Sequence, residues 1–191
     1  MADKLNVLTI CGSLRKKSYN AALVRALPEL APSNMMLTAS PPWETMPFYD
    51  ADVQEGSGFP KQAEEFAAAV RAADGVIITT PEYNWTIPGG LKNAFDWVSR
   101  MAPDKQPFKG KPVALQSASQ GPLGGARMQY HLRMCMTYLS CDIFGLPEVF
   151  VMMAQNKFDK DTLKLTDEQT RKIVTMQLEG FAKYIERVKA K

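Results

Sequence analysis

The sequence predicts an open, doubly wound α/β sheet of five parallel strands. Short apolar runs alternate with amphipathic helical patterns five times along the 191 residues, and the three loops richest in small polar residues each follow a strand. In sheets of this kind, ligands bind outside the carboxyl ends of the strands, where those loops collect.

The first strand is Leu5 to Cys11, a nearly unbroken apolar run of the sort buried on both faces of a parallel sheet. It stops at Gly12, which lets the backbone turn and approach a ligand closely. Ser13 and Ser18 add hydroxyls, and Arg15, Lys16 and Lys17 add positive charge. Ser18 is placed to cap a helix whose apolar positions are Leu23, Val24, Leu27 and Leu30. Free amides, hydroxyls and an arginine fork at a helix N-terminus suit a phosphate. The loop is neither Gly-x-Gly-x-x-Gly nor a Gly-Lys-Ser/Thr loop, so a mononucleotide fits it better than a dinucleotide or a triphosphate. The alternative is that Gly-Ser merely ends a strand and the basic triplet is solvated.

Met35 to Ala39 is the second strand. Residues 40–58 hold several prolines, two glycines and Trp43, Phe48 and Tyr49, which reads as a long ordered connection carrying aromatics to the surface or to a neighbour. Phe59, Ala63, Phe66, Val70 and Ala73 recur at helical spacing. Val76 to Thr80 is the third strand. In the next loop Pro81, Pro88, Gly89 and Gly90 impose rigidity, with Pro88 in the first turn of a helix carrying Leu91, Ala94, Phe95 and Val98 inward. Tyr83 and Trp85 lie near the loop apex, either packed under the turn or forming an aromatic wall for a flat heterocycle.

Val113 to Ser117 is the fourth strand, followed by the small polar loop 117–121. The helix after it has Met128, Leu132, Cys135, Met136 and Leu139 on one side and Tyr130, Met134 and Tyr138 on another. Two apolar sides on one helix mean deep burial or a subunit contact, and in a chain of this size the contact is favoured. Glu148 to Met153 is the last strand. Thr166 and Gln169 match a capping box for a final helix with Val174, Leu178, Phe181, Ile185 and Val188 inward. The strand order expected for five such units is 2-1-3-4-5, which brings the loops at residues 12–20, 81–86 and 117–121 to one edge. A phosphate in the first and a flat ring between the others describe flavin mononucleotide, FMN.

Residues 1–191 read as one domain. A net charge of +3, spread along the chain, gives no basis for nucleic-acid binding. No run approaches membrane-spanning length, and Leu5 to Cys11 is too short for a signal peptide. Cys11, Cys135 and Cys141 have no paired spacing, which suits a reducing cytoplasm and buried, inert thiols. His131 is the single histidine and has no second ligand type spaced around it, so neither a metal site nor a Ser-His-Asp triad is expected.

Three stretches carry a resemblance: Gly12-Ser13-Leu14-Arg15-Lys16-Lys17-Ser18-Tyr19-Asn20, Pro81-Glu82-Tyr83-Asn84-Trp85 with Pro88-Gly89-Gly90-Leu91-Lys92-Asn93, and Gly124-Gly125-Ala126-Arg127. With them the chain resembles the NAD(P)H-dependent FMN reductases of flavodoxin-like fold, and within these the bacterial quinone and chromate reductases. The resemblance implies that Ser13, Arg15, Ser18, Tyr19 and Asn20 hold the phosphate and ribityl chain. Pro81, Glu82, Tyr83, Asn84 and Trp85 would line the isoalloxazine, with Ser119 closing the other side. Arg100 and Tyr130 become candidates for the substrate mouth or a subunit interface, since the family is usually dimeric or tetrameric. Lys17 stands where a small residue is expected and Trp85 where tyrosine is commoner.

The implied activity is a two-step exchange. NADPH or NADH reduces the flavin, and a small-molecule acceptor such as a quinone, azo dye, nitro compound or chromate then takes two electrons. The chemistry resides on the cofactor, so no side chain need be an acid or base. Two alternatives stand beside it. One is a one-electron carrier of the flavodoxin kind, typically strongly acidic where this chain is slightly basic; the other is a reductase that releases reduced flavin.

Overall fold

A computed structural model describes residues 4–190. Its elements run β1 (Leu5–Cys11), α1 (Tyr19–Leu30), β2 (Met35–Ala39), α2 (Ala51–Ser57), α3 (Lys61–Ala72), β3 (Gly75–Thr79), α4 (Gly89–Val98), β4 (Pro112–Ala118), α5 (Ala126–Tyr138), β5 (Asp142–Ile143), β6 (Val149–Val151) and α6 (Glu168–Lys189). All pairings are parallel, in the order β2-β1-β3-β4-β5, with β6 also beside β4. This is the flavodoxin-like order expected from the sequence.

Strand residues alternate between two cores, as the pleat requires. Val7, Ile77 and Ala114 pack with Leu23 and Leu27 of α1 and with Val174, Leu178 and Phe181 of α6. Leu8, Ile10, Ile78 and Leu115 pack on the other face with Phe66 and Val70 of α3, Leu91 and Phe95 of α4, and Leu132 of α5. With helices on both faces, only the strand ends remain open to a ligand.

The fifth strand differs from expectation. Instead of one run from Glu148 to Met153, β5 pairs with Pro112 and Val113 and β6 with Gln116 to Ala118, so one edge position is filled in two pieces. The interruption contains Gly145 and Pro147, and proline has no amide to give a ladder. The 40–58 connection contains the short helix α2, capped by Asp50 accepting from the Asp52 amide at 2.9 Å, and none of its residues is buried. Trp43 does not reach the surface. It is buried against α4, where a Cβ on Gly90 would lie 3.3 Å from its ring. Pro88 occupies the N-cap of α4 rather than its first turn. The cap of α6 is Asp167, one residue beyond the expected Thr166, and its carboxylate accepts from the Thr170 amide at 2.9 Å.

Candidate functional site

The three loops meet at the carboxyl edge, as the strand order demands, because β1, β3 and β4 are adjacent. They surround a cleft of about 240 Å³. Ser13, Arg15, Ser18, Tyr19 and Asn20 line it from the first loop, Pro81, Glu82 and Tyr83 from the second, and Ala118, Ser119 and Gln120 from the third.

At one end, Ser18 caps α1, its buried Oγ accepting from the amides of Asn20 and Ala21, each at 3.2 Å. The hydroxyl proton is left to donate. The amides of residues 13–17 find no acceptor among the described residues. Positive helix end, free amides, a hydroxyl and the exposed Arg15 guanidinium together form a cradle for an anion. This donor set fits the phosphate of FMN.

Gly12 is required here by a collision rather than by a turn. A Cβ would lie 2.0 Å from Thr80 Oγ1 and 2.9 Å from Leu91 Cδ2. Thr80 Oγ1 is itself buried without a hydrogen-bond partner.

Asn20 has a structural part beside the one its resemblance suggested. Its Oδ1 accepts from the Ala118 amide and its Nδ2 donates to the Ala118 carbonyl, both at 2.9 Å. Asn20 thereby fastens the start of α1 to the end of β4, and it keeps a second Nδ2 proton while lining the cleft.

The second and third loops wall the rest of the cleft. Pro81 is buried and Tyr83 half-exposed. The Ser119 hydroxyl accepts from the Gly121 amide at 3.1 Å while its own amide donates to the Val151 carbonyl. Glu82 Oε2 accepts from the Met128 amide at 3.1 Å, tying the second loop to the first turn of α5.

Asn84 and Trp85 do not line the cleft. Tyr83 and Thr86 exchange backbone hydrogen bonds of 3.1 and 3.0 Å, closing a two-residue turn in which Asn84 and Trp85 both take left-handed φ, 50° and 66°. The Trp85 ring lies instead beneath Arg127, whose guanidinium carbon is 4.5 Å from the ring centroid. Sequence reasoning gave Arg127 no role. Its motif was visible, but its partner on another loop was not.

Arg100 and Tyr130 also lie away from the cleft. Arg100 sits over the Tyr49 ring at 5.2 Å and lines a groove of about 430 Å³ between α4 and α5. Tyr130, Met134 and Tyr138 form an outward stripe on α5, 54%, 71% and 73% exposed. His131 Nδ1 is 3.1 Å from Thr86 Oγ1. Among the described residues no group of three His, Cys, Asp or Glu is placed to hold a metal ion, and no helix is long and apolar enough to cross a membrane. Burial raises all three thiols above their ordinary pKa, Cys141 to about 12, which makes them poor nucleophiles at neutral pH.

Known proteins are similar to this chain. Residues 5–157 match the family model described as NADPH-dependent FMN reductase. The quinone reductase of Escherichia coli K12 is 49% identical over 189 residues, covering 99% of this chain and 100% of that protein. The NAD(P)H-dependent FMN reductase of Pseudomonas aeruginosa is 41% identical with the same coverage. Among solved structures, the flavoenzyme NAD(P)H:(acceptor) oxidoreductase FerB of Paracoccus denitrificans aligns with a TM-score of 0.84 at 29% identity, covering 96% of this chain and 98% of its own. With the family model spanning most of the chain and relatives similar along its full length, the chain belongs to the NADPH-dependent FMN reductase family.

Proposed function

We propose that the protein passes two electrons from NADPH or NADH, by way of FMN held in the cleft, to quinones and similar small acceptors. The observation that carries this is an anion cradle of free amides at the start of α1 in a cleft walled by two further strand-end loops. Bound FMN supplies the hydride chemistry. The protein's work is to hold and orient. Ser13, Arg15 and the Ser18 hydroxyl take the phosphate, Tyr19 lies beside it, and Asn20 keeps the cradle in register with β4. Pro81, Glu82, Tyr83 and Ser119 flank the ring and leave one face to solvent, where donor and acceptor take turns.

The same reading makes the protein a cytoplasmic homo-oligomer whose copies meet through the outward stripe of α5. The free cysteines agree with the compartment, and the exposed tyrosines and methionine agree with the contact.

The test is anaerobic addition of NADPH, and separately NADH, to the flavin-loaded protein while the visible spectrum is recorded. The flavin band should bleach directly to the two-electron form. A band that neither donor bleaches, or that halts at a one-electron form, would make the protein a carrier instead.

A further inference from the structure

Beyond β6 the chain turns at Met152 and Met153, and Met153 takes a left-handed φ of 48°, a region where residues other than glycine are uncommon. The third loop holds this turn in place. Ser119 donates its amide to the Val151 carbonyl at 3.0 Å, and the amides of Met153 and Ala154 donate to the carbonyls of Gly121 and Ser119 at 3.2 and 3.0 Å. Anchored in this way, Met152 and Met153 remain 51% and 40% exposed. With the half-buried Phe150 and with Ile173 of α6 they line a groove of about 360 Å³. No residue of α5 lines it, so it is apart from the stripe through which copies are proposed to meet.

The chemistry of the groove calls for an apolar occupant. Its two charged residues, Lys157 and Asp167, pair with each other at 2.9 Å, and the second Asp167 oxygen accepts from the Thr170 amide and hydroxyl at 2.9 and 2.6 Å. Neither charge is left unmatched to hold an ion. What remains is thioether, ring and branched alkyl surface, and methionine adapts to ligands of irregular shape. The groove also adjoins the cleft. Ser119 walls the cleft and its hydroxyl accepts from the Gly121 amide at 3.1 Å, while the Gly121 carbonyl accepts from Met153, so two hydrogen bonds lead from one cavity to the other. Gly121 has no side chain to raise the rim between them, and a Cβ there would meet nothing nearer than Ser119 Oγ at 3.6 Å.

We propose that the groove holds the apolar tail of a prenylated quinone whose ring reacts in the cleft. This rests on the proposed function, which puts FMN in the cleft and a quinone beside it. Removal of the tail from water drives the binding and grows with each carbon buried. The exchange itself is ordinary for a quinone: two electrons and two protons convert it to the hydroquinone, one proton travelling with the electron pair as hydride from reduced FMN and the other coming from solvent, and FMN returns to the oxidised form. The groove residues touch only the tail. They lower the KM of a tailed acceptor and take no part in the transfer.

Two measurements test this. The first needs neither flavin nor nicotinamide: protein labelled with carbon-13 at its methionine methyls is titrated with geraniol, a free prenyl alcohol, and Met152→Leu and Met153→Asn assign the two signals. Both should shift and saturate while those of Met36 and Met134, exposed elsewhere, stay in place. The second follows reoxidation of dithionite-reduced, flavin-loaded protein by ubiquinone-0, which has no tail, and by ubiquinone-2, which carries two prenyl units. Met153→Asn makes the groove polar with a residue that tolerates the left-handed φ. It should lower the second-order constant for ubiquinone-2 by about tenfold, the scale of two buried methylenes, and leave that for ubiquinone-0 unchanged. Dividing variant by wild type for each acceptor cancels the difference in potential. Equal losses for both acceptors would assign Met153 to holding the third loop and overturn the proposal, as would an unaltered ratio or methionine signals that geraniol does not move. Signals that move on dilution instead would give the groove to a second copy. Failure of NADPH and NADH to bleach the flavin would sink the proposed function while leaving both measurements readable, since neither uses a nicotinamide.

Discussion

Asn20 stands in for a strand at the end of β4: its side-chain amide exchanges two 2.9 Å hydrogen bonds with the backbone of Ala118, across 98 residues of chain. β4 has Gln116 to Ala118 paired with β6, yet at Ala118 the peptide groups facing α1 would be buried without partners. Asn20 satisfies both, and in doing so sets the distance between the anion cradle and the third loop.

Replacing Asn20 with alanine therefore strands a buried donor and a buried acceptor. Each unsatisfied group costs about 1–3 kcal/mol, so Asn20→Ala should lower the urea midpoint clearly at unchanged m-value. FMN affinity should fall with it, because the cradle loses its register with the third loop. Asn20→Asp keeps the acceptor but sets a carboxylate against the Ala118 carbonyl, and should be at least as damaging. A variant with normal stability and weakened FMN binding would show that Asn20 touches the ligand after all.

This pair explains where reading the sequence succeeds and where it stops. β1 was legible to the residue because it is a nearly continuous apolar run buried along most of its length, and β2, with only Met35 buried, was legible as the short apolar run that follows α1. α2 was not, because with no buried residue it has no stripe to detect. The split edge was hidden because β5 is two residues long and gains its strand character only from β4. The cleft followed from strand order, since strand order fixes which loops are neighbours. What each side chain does inside it did not follow. Asn20 and Ala118 are 98 residues apart, and the turn at Asn84 and Trp85 contains no glycine to announce its positive φ.

Arg15 is exposed on the loop whose free amides face the cleft. Arg15→Ala should weaken FMN binding by about 1.5–3 kcal/mol, the worth of a hydrogen bond between charged partners, with the unfolding midpoint of the apoprotein preserved. Fluorescence titration with FMN reads the affinity. Riboflavin, which lacks the phosphate, should bind wild type and variant alike; an equal loss for riboflavin would move Arg15 away from the phosphate.

Gly12 tests the packing beneath the cradle. In Gly12→Ala the new methyl lands 2.0 Å from Thr80 Oγ1 and 2.5 Å from Thr80 Cβ, and both belong to a short, buried, β-branched side chain with nowhere to go. Overpacking of this kind costs about 1–3 kcal/mol and should displace the loop, so both stability and FMN affinity decline. Adding Thr80→Gly removes the two nearest colliding atoms, leaving only the end of the Leu91 side chain at 2.9 Å, and should raise binding in the double variant above that of Gly12→Ala. If Gly12→Ala binds FMN normally by titration, the loop is looser than the collision implies.

Asp167 supplies the acid-sensitive part of the fold. The Thr170 hydroxyl and the Lys157 ammonium, with the Thr170 amide, hold its carboxyl down at about 2. A carboxyl whose folded pKa lies below its unfolded value stabilises the fold above the unfolded pKa, about 3.9, and loses that contribution as pH falls toward the folded one. Asp167→Asn keeps the cap and removes the charge. Since the Asp167 and Lys157 side chains remain 24% and 30% exposed, the solvent-screened loss at pH 7 should be about 1 kcal/mol. Urea midpoints of wild type and variant should differ at pH 7 and 5 and converge between pH 4 and 2. A gap that persists at pH 3 and below would mean that the amide disturbs the cap itself.

The proposed contact between copies would run through the stripe on α5. Tyr130, Met134 and Tyr138 follow one another at helical spacing and stay open to solvent, while the opposite side of α5 buries Met128, Leu132 and Met136 completely. Next to the stripe, the groove between α4 and α5 admits side chains from another surface, and Met134 and Tyr138 line it. A charge at the centre of a dry contact is left without a partner, whereas on a solvated face it costs almost nothing. Met134→Glu should therefore shift the mass by light scattering from oligomer to monomer while leaving the circular dichroism spectrum intact. A wild-type protein that is monomeric at tens of micromolar would show that the stripe faces water in solution.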